Sequence, residues 1–181
     1  MDTQKLRIPI AVITLAAAGF GGIVAWEGYV ETAAPPVKGD VPTYGFGSTT
    51  HADGSPVKAG EKITPPAAVR LTLAHIAKDE TELKRCFGQE TLIAQHEWDA
   101  FVSLAYNVGP GAVCASSIPG KLKAGNYEAA CKTILDFNAF CTKPKVKSLT
   151  GKMICPPGAK RVLAGLTARR NAEYQLCREG A

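Results

Sequence analysis

The sequence predicts an α+β domain, and three observations carry that prediction. Residues 28–60, "GYVETAAPPVKGDVPTYGFGSTTHADGSPVKAG", hold short alternating runs such as "TYGFG" between Gly, Pro and Asp-Gly turn signals, the pattern of a small β-hairpin region. Beyond them, apolar residues recur at helical spacing in segments that stop at Gly or Pro. The length of 181 residues, with 46% hydrophobic and 20% charged, suits one globular domain with a real core and leaves little room for a second.

The N-terminal segment comes first. From Ile8 to Trp26 no charge interrupts "IPIAVITLAAAGFGGIVAW", a length that crosses a bilayer as a helix. Lys5 and Arg7 ahead of it leave the N-terminus in the cytoplasm and export the rest. Frequent Ala and Gly, with Pro9 and Thr14, make its membrane affinity marginal. Three readings stand: a cleaved signal peptide ending near Ala16–Ala18, a stable anchor, and an uncleaved export segment that later leaves the membrane, which is the one carried forward. On a helical projection Ala11, Thr14, Ala18, Gly21, Gly22 and Ala25 share a stripe of small residues, suited to close packing against another helix in lipid or in a protein core.

Past the hairpin region, "ITPPAAVRLTLAHIAKDETELKRC" starts a helix with Thr64 as N-cap and Pro65 in its first turn, and places residues 69, 73, 76 and 83 at helical spacing. "TLIAQHEWDAFVSLAYNVGPG" puts Trp98, Phe101, Val102 and Ala105 on one face and ends at Gly109 and Pro110, which predicts the central buried helix. "IPGKLKAGNYEAACKTILDF" continues the helical pattern after a turn. "AKRVLAGLTARRNAEYQLC" closes the chain as a basic amphipathic helix.

The net charge of +5 and pI near 8.9 favour approach to anionic surfaces. No basic block of nucleic-acid type occurs, so nucleic acid is not an expected partner, and a monomer is the default. Cysteines 86, 114, 131, 141, 155 and 177 form no C-x-x-C and lie near no zinc-spaced His, so no metal and no cofactor is expected. Their even count suits disulfides in an oxidising compartment. The polar loop between Cys141 and Cys155 singles out that pair as a staple; the other pairings are left open.

A carboxylic acid beside apolar surface has its ionised form disfavoured, so it can hold a proton and donate it. Glu27, between Trp26 and Gly28, is so placed. "WEGYVE", "GDVPTYGFGSTT", "QHEWDAFVSLAYNVGPGA", "SSIPGKLKAGNYEAAC" and "GLTARRNAEYQLC" then follow in the order and approximate spacing of phage-type lysozymes, glycoside hydrolase family 24, over Trp26 to Cys177. The resemblance implies a lysozyme-like fold and a peptidoglycan substrate. The reaction would be hydrolysis, with inversion, of the β-1,4 bond between N-acetylmuramic acid and N-acetylglucosamine. The N-terminal segment resembles that of signal-arrest-release endolysins. This implies a membrane segment over residues 1–26 and a catalytic domain over 27–181, tethered to the host inner membrane through residues 8–26 and then released to the periplasm. With no cysteine near Glu27, control would come from refolding of the segment.

Carried across residue by residue, Glu27 matches the family's general acid and Thr43 its catalytic threonine, which would help hold the attacking water. The second carboxylate departs from the pattern: nine after Glu27 stands Pro36, and six before Thr43 stands Val37. Asp40 is the nearest carboxylate that the hairpin can bring to the cleft, with an ordinary Gly-Asp turn as its other reading; Glu31 is a weaker substitute. The matching "RR" implies a structural ion pair for Arg169 or Arg170. His51, His75 and His96 read as turn or helix-surface residues, and Tyr44 and Phe46 as packing. Two other functions are weighed: a lytic transglycosylase, which needs only one acid and no water, and a non-catalytic wall-binding protein gripping peptidoglycan by its basic surface.

Overall fold

Trp98, Phe101, Val102, Leu104 and Ala105 are fully buried, which makes the helix that carries them the axis of the molecule. The computed structural model describes residues 6–36, 40–144, 146–147 and 153–179, with the backbone alone at 153, 154 and 179. In chain order it contains β1 (Ile8–Pro9), a 3-10 turn, α1 (Ala17–Glu27), β2 (Val30–Ala34), β3 (Thr43–Gly45), α2 (Pro65–Phe87), β4 (Leu92–Ile93) and α3 (Gln95–Val108). Three short helices follow, α4 (Pro110–Cys114), α5 (Ile118–Lys123) and α6 (Tyr127–Thr133), then β5 (Ala139–Cys141), β6 (Val146–Lys147), β7 (Met153–Ile154), β8 (Lys160–Val162) and α7 (Ala164–Glu179). The expected α+β layout holds: a small β region ahead of a mainly helical body wrapped around α3.

Two cores result. The larger gathers Ile76, Leu83, Phe87, Trp98, Phe101, Val113, Ile118, Leu122 and Ile134 between the helices, with the Phe87 ring edge-on to both Trp98 and Phe101. The smaller gathers Ala33, Tyr44, Val57, Ile63 and Ala68 under the β2–β3 hairpin. The long helix α2 joins them, since its buried stripe runs Ala68, Thr72, Ile76, Asp79, Leu83, Phe87. That stripe differs from the spacing of apolar residues alone: Leu73 is 47% exposed, while the polar Thr72 and Asp79 take inward places. Pro65 opens α2 and Gly88 closes it at φ 92°.

Disulfides Cys86–Cys114 and Cys131–Cys177 tie α2 to α4 and α6 to α7, and Cys141–Cys155 staples the loop before α7 as expected. The stretch after Asn126 is helical, with the Asn126 side chain accepting from the Ala129 N–H as N-cap.

The expected weak transmembrane segment over residues 8–26 is corrected here. Among the described residues no helix is long and apolar enough to cross a membrane. Ile8 and Pro9 pair with Ile93 and Leu92 as strands, and the amides of Ile10 and Ala11 donate to Thr91 O and Gln89 O. The Leu15 amide donates to Glu80 Oε1 at 2.7 Å and the Ala16 amide to Asp99 Oδ1 at 3.0 Å. Only then does α1 begin, eleven residues long. Ile10, Ile13 and Ile23 sit in the larger core at 0%, 2% and 0% exposure, so the hydrophobicity that reads as lipid affinity is satisfied by protein. Arg7, read as a topology signal, donates twice to the buried Glu97 carboxylate and lies over the Tyr127 ring. The inner-membrane tether through residues 8–26, and the membrane localisation followed by release, fall with the segment.

The small stripe also behaves differently: Ala11, Thr14, Ala18, Gly21, Gly22 and Ala25 are all exposed. The close approach is made instead at Gly19, where a Cβ would lie 2.7 Å from Leu15 Cδ1 and 2.9 Å from Asp99 Cγ. Truncating Ile23 to Ala removes a fully buried side chain from α1. It is expected to lower the unfolding free energy in urea by about 2–4 kcal/mol; an unchanged midpoint would mean that α1 contributes nothing to the core.

Candidate active site

Glu27 is the last residue of α1, where Gly28 at φ 68° turns the chain away towards the hairpin. Its side chain is 19% exposed and Arg169 Nη1 of α7 donates to Oε1 at 2.6 Å. The other oxygen, Oε2, faces Gly47 in the turn after β3. A Cβ on Gly47 would come within 3.1 Å of it, and the φ of 83° there disfavours any side chain. The carboxylate is thus clamped on one oxygen, and the other lies against a residue that has no side chain.

Arg169 is itself held. Its Nε donates to Glu173 Oε1 at 3.1 Å and its Nη2 to Ser103 O at 3.4 Å. Glu173 also receives the Ser103 hydroxyl at 2.8 Å and Arg170 Nη2 at 3.1 Å, and Arg170 Nε approaches Oε2 to 2.8 Å without hydrogen-bond alignment. Arg170 Nη2 donates further to Asn107 Oδ1. Both arginines and Glu173 are buried, so both members of the "RR" pair are ionic struts and neither belongs to a solvated face. Burial pushes the Glu173 carboxyl up, opposed by Arg170, the Ser103 hydroxyl and Arg169; burial pulls Arg170 down, opposed by Glu173.

Tyr106, on α3, fixes the hairpin by donating its hydroxyl to Phe46 O at 2.6 Å. Burial raises its phenol, with the charges of Glu27 and Asp79 adding to the rise and the charge of Arg169 opposing it. Beneath it, Asp79 is 4% exposed and 3.6 Å from His75 Nε2. Burial, then the charge of Glu82, pushes the Asp79 carboxyl up to about 7, while burial and Lys78 pull His75 down.

Of the residues expected from sequence, Thr43 opens β3, half-buried and paired with Ala34, two places before Gly45. Asp40 lies at an exposed bend of the loop leading to β3 and makes no hydrogen bond or ion pair among the described residues. Glu31 is exposed in β2 and pairs with Lys62 at 3.5 Å. Tyr44 and Phe46 pack in and against the smaller core, and His51 links the Tyr44 hydroxyl to Glu61. Gly47, Tyr106 and Glu173 were not singled out from sequence. The only signal for Glu173 was its place three and four residues after the two arginines, on the same helix face.

Two measurements check this geometry. Gly47→Ala is expected to cost about 1 kcal/mol of stability and to lower activity about tenfold through crowding of Glu27; wild-type activity would mean that Oε2 is not used. The Asp79 carboxyl is raised above its unfolded value of about 3.9, so its contribution is fully present below about pH 4 and is lost as pH rises through 7. Asp79→Asn, which mimics the protonated acid, is expected to match the wild type near pH 4 in urea unfolding. At pH 7.5 it is expected to exceed it by about 2–4 kcal/mol; equal stability at both pH values would contradict the assignment.

A family model described as phage lysozyme matches residues 24–173. The SAR-endolysin of Pseudomonas phage phiKMV is 30% identical over 164 residues, covering 90% of this chain and 88% of that protein. Among solved structures, the endolysin from Escherichia coli O157:H7 phage FAHEc1 superimposes with a TM-score of 0.75 at 27% identity, covering 94% of this chain and 96% of that one. The active form of P1 phage endolysin Lyz gives a TM-score of 0.69 at 22% identity, covering 93% and 87%, a likeness of fold.

Proposed function

This chain belongs to the phage lysozyme family, and on that premise we propose that Glu27 is its general acid, with Asp40 and Thr43 handling the attacking water. The enzyme is a lysozyme-type glycoside hydrolase of the endolysin class, acting on peptidoglycan. The observation that carries the assignment is the Glu27 carboxylate: one oxygen bound by Arg169 at 2.6 Å, the other facing the side-chain-free Gly47. A sugar reaching that oxygen meets an acid oriented by Arg169.

In this reading the strand's β-1,4 bond between N-acetylmuramic acid and N-acetylglucosamine lies at that oxygen. Glu27 protonates the glycosidic oxygen through Oε2 as the bond breaks, and a water enters on the opposite face of the sugar ring. Thr43 supplies a hydroxyl to hold that water and Asp40 the base that takes its proton. Support for the pair comes from their shared place in the hairpin arm: the turn that follows β3 carries Gly47 to Glu27, and the exposed Asp40 is free of competing partners among the described residues. Arg169 aims the acid. The basic surface favours approach to a wall rich in carboxylates.

Glu27→Gln is expected to reduce the rate of peptidoglycan hydrolysis about a thousandfold while the protein folds and binds the wall as before; a variant that still lyses would remove Glu27 from the chemistry. Mass spectrometry of wild-type digests is expected to show reducing N-acetylmuramic acid ends, and Asp40→Asn to slow their release. Anhydro ends, one water lighter, would overturn hydrolysis in favour of transglycosylation and leave Asp40 and Thr43 without a role.

A further inference from the structure

A guanidinium against a catalytic acid has two opposed effects. It orients the carboxylate, and it also stabilises the ionised form, which cannot donate a proton. How strongly Arg169 does the second depends on what else shares its charge, and in this molecule the sharing partner is a second buried carboxylate. Glu173 lies one helical turn beyond Arg169 on α7, takes its Nε at 3.1 Å, and is 3% exposed. Arg169 and Glu173 are both buried, so water screens their contact little, and the same guanidinium binds Glu27 through Nη1.

We infer that Glu173 is a positioning residue for the reaction: it competes with Glu27 for the charge of Arg169, and Arg170 in turn sets how much of Glu173 is free to compete. The inference rests on Glu27 being the general acid. Three features support it beyond the contact itself. Ser103 donates to Glu173 Oε1 from α3, fixing the carboxylate towards Arg169. Arg170 reaches the same Oε1 at 3.1 Å, so the two guanidiniums divide one acid. Arg170 is 0% exposed and bonds Asn107, which holds it in place as the counterweight.

Arg169 and, farther off, Arg170 approach from α7, the Tyr106 phenol lies on α3, and the hairpin presents the backbone of Gly47. Changing the cluster on α7 therefore changes the field at the acid.

The test is the pH dependence of kcat/KM on peptidoglycan, whose alkaline limb reports loss of the protonated acid in the free enzyme. Glu173→Gln leaves Arg169 unshared and is expected to move that limb to lower pH by about one unit. Arg170→Met frees Glu173 for Arg169 and is expected to move it to higher pH. Should Glu173→Gln not fold, the comparison of Arg170→Met with the Arg170→Met, Glu173→Gln double variant reads the same effect, again a move to lower pH on loss of the Glu173 charge. Limbs that stay in place, or that shift the same way in both single variants, would make Glu173 a structural strut and overturn the inference. Glu27→Gln, assayed alongside, separates the two levels. Retained activity there sinks the acid assignment itself, whereas an inactive Glu27→Gln with unmoved limbs sinks the role of Glu173 alone.

Discussion

The contact between Arg169 Nη1 and Glu27 Oε1 joins the last helix of the chain to the first, and much of the rest of the structure follows from what that contact demands. Taking an arginine out of water costs several kcal/mol, recovered only when its other donors are also satisfied. Arg169 meets that condition through Glu173 and the Ser103 carbonyl. α1 and α7 must therefore both lie against α3 in one register, because Ser103 belongs to α3. The devices that hold this register sit well away from Glu27: the Cys131–Cys177 bond near the far end of α7 and the Arg7–Glu97 pair ahead of α1. Glu173 is the shared counter-charge of two buried guanidiniums, so the network also makes correct docking of the two helices a condition of stability.

The N-terminal segment shows why composition alone does not decide between lipid and protein. Its residues are apolar on every helical face, so no amphipathic stripe marks the side meant for the core. What decides is the backbone. Pro9 and the residues after it leave helical geometry, and the amides of Ile10, Ala11, Leu15 and Ala16 find acceptors in the α2–α3 connection and in the carboxylates of Glu80 and Asp99. Glu80 also accepts the Trp98 indole, so one acid ties the segment to the central helix. Those acceptors lie 65 to 83 residues away in sequence and cannot be read from the segment itself.

The same distinction, local against distant, separates what was legible from what was not. Trp98, Phe101, Val102 and Ala105 declare their helix by spacing, the hairpin declares itself by turn residues, and Cys141 and Cys155 bracket a polar loop that suits a staple. Pairings such as Cys86–Cys114 and Cys131–Cys177 depend on how helices cross and leave no local mark. On α2, reading apolar identity selects Leu73, while the fold buries the polar Thr72 and Asp79. At the proposed site, the motifs around Glu27 and Thr43 are what single those two residues out. The clamp on Glu27 was not, since it needs the chain's two ends together, and Gly47 matters only for a side chain that it lacks.

The measurement that bears most directly on the central pair is a double-mutant cycle on the rate of peptidoglycan hydrolysis with Glu27→Gln, Arg169→Met and both together. If Arg169 acts through Glu27, the double variant is no slower than Glu27→Gln alone, because the clamp has nothing left to aim. Losses that multiply independently would place Arg169's contribution elsewhere and dissolve the link between the docking of the two helices and the chemistry.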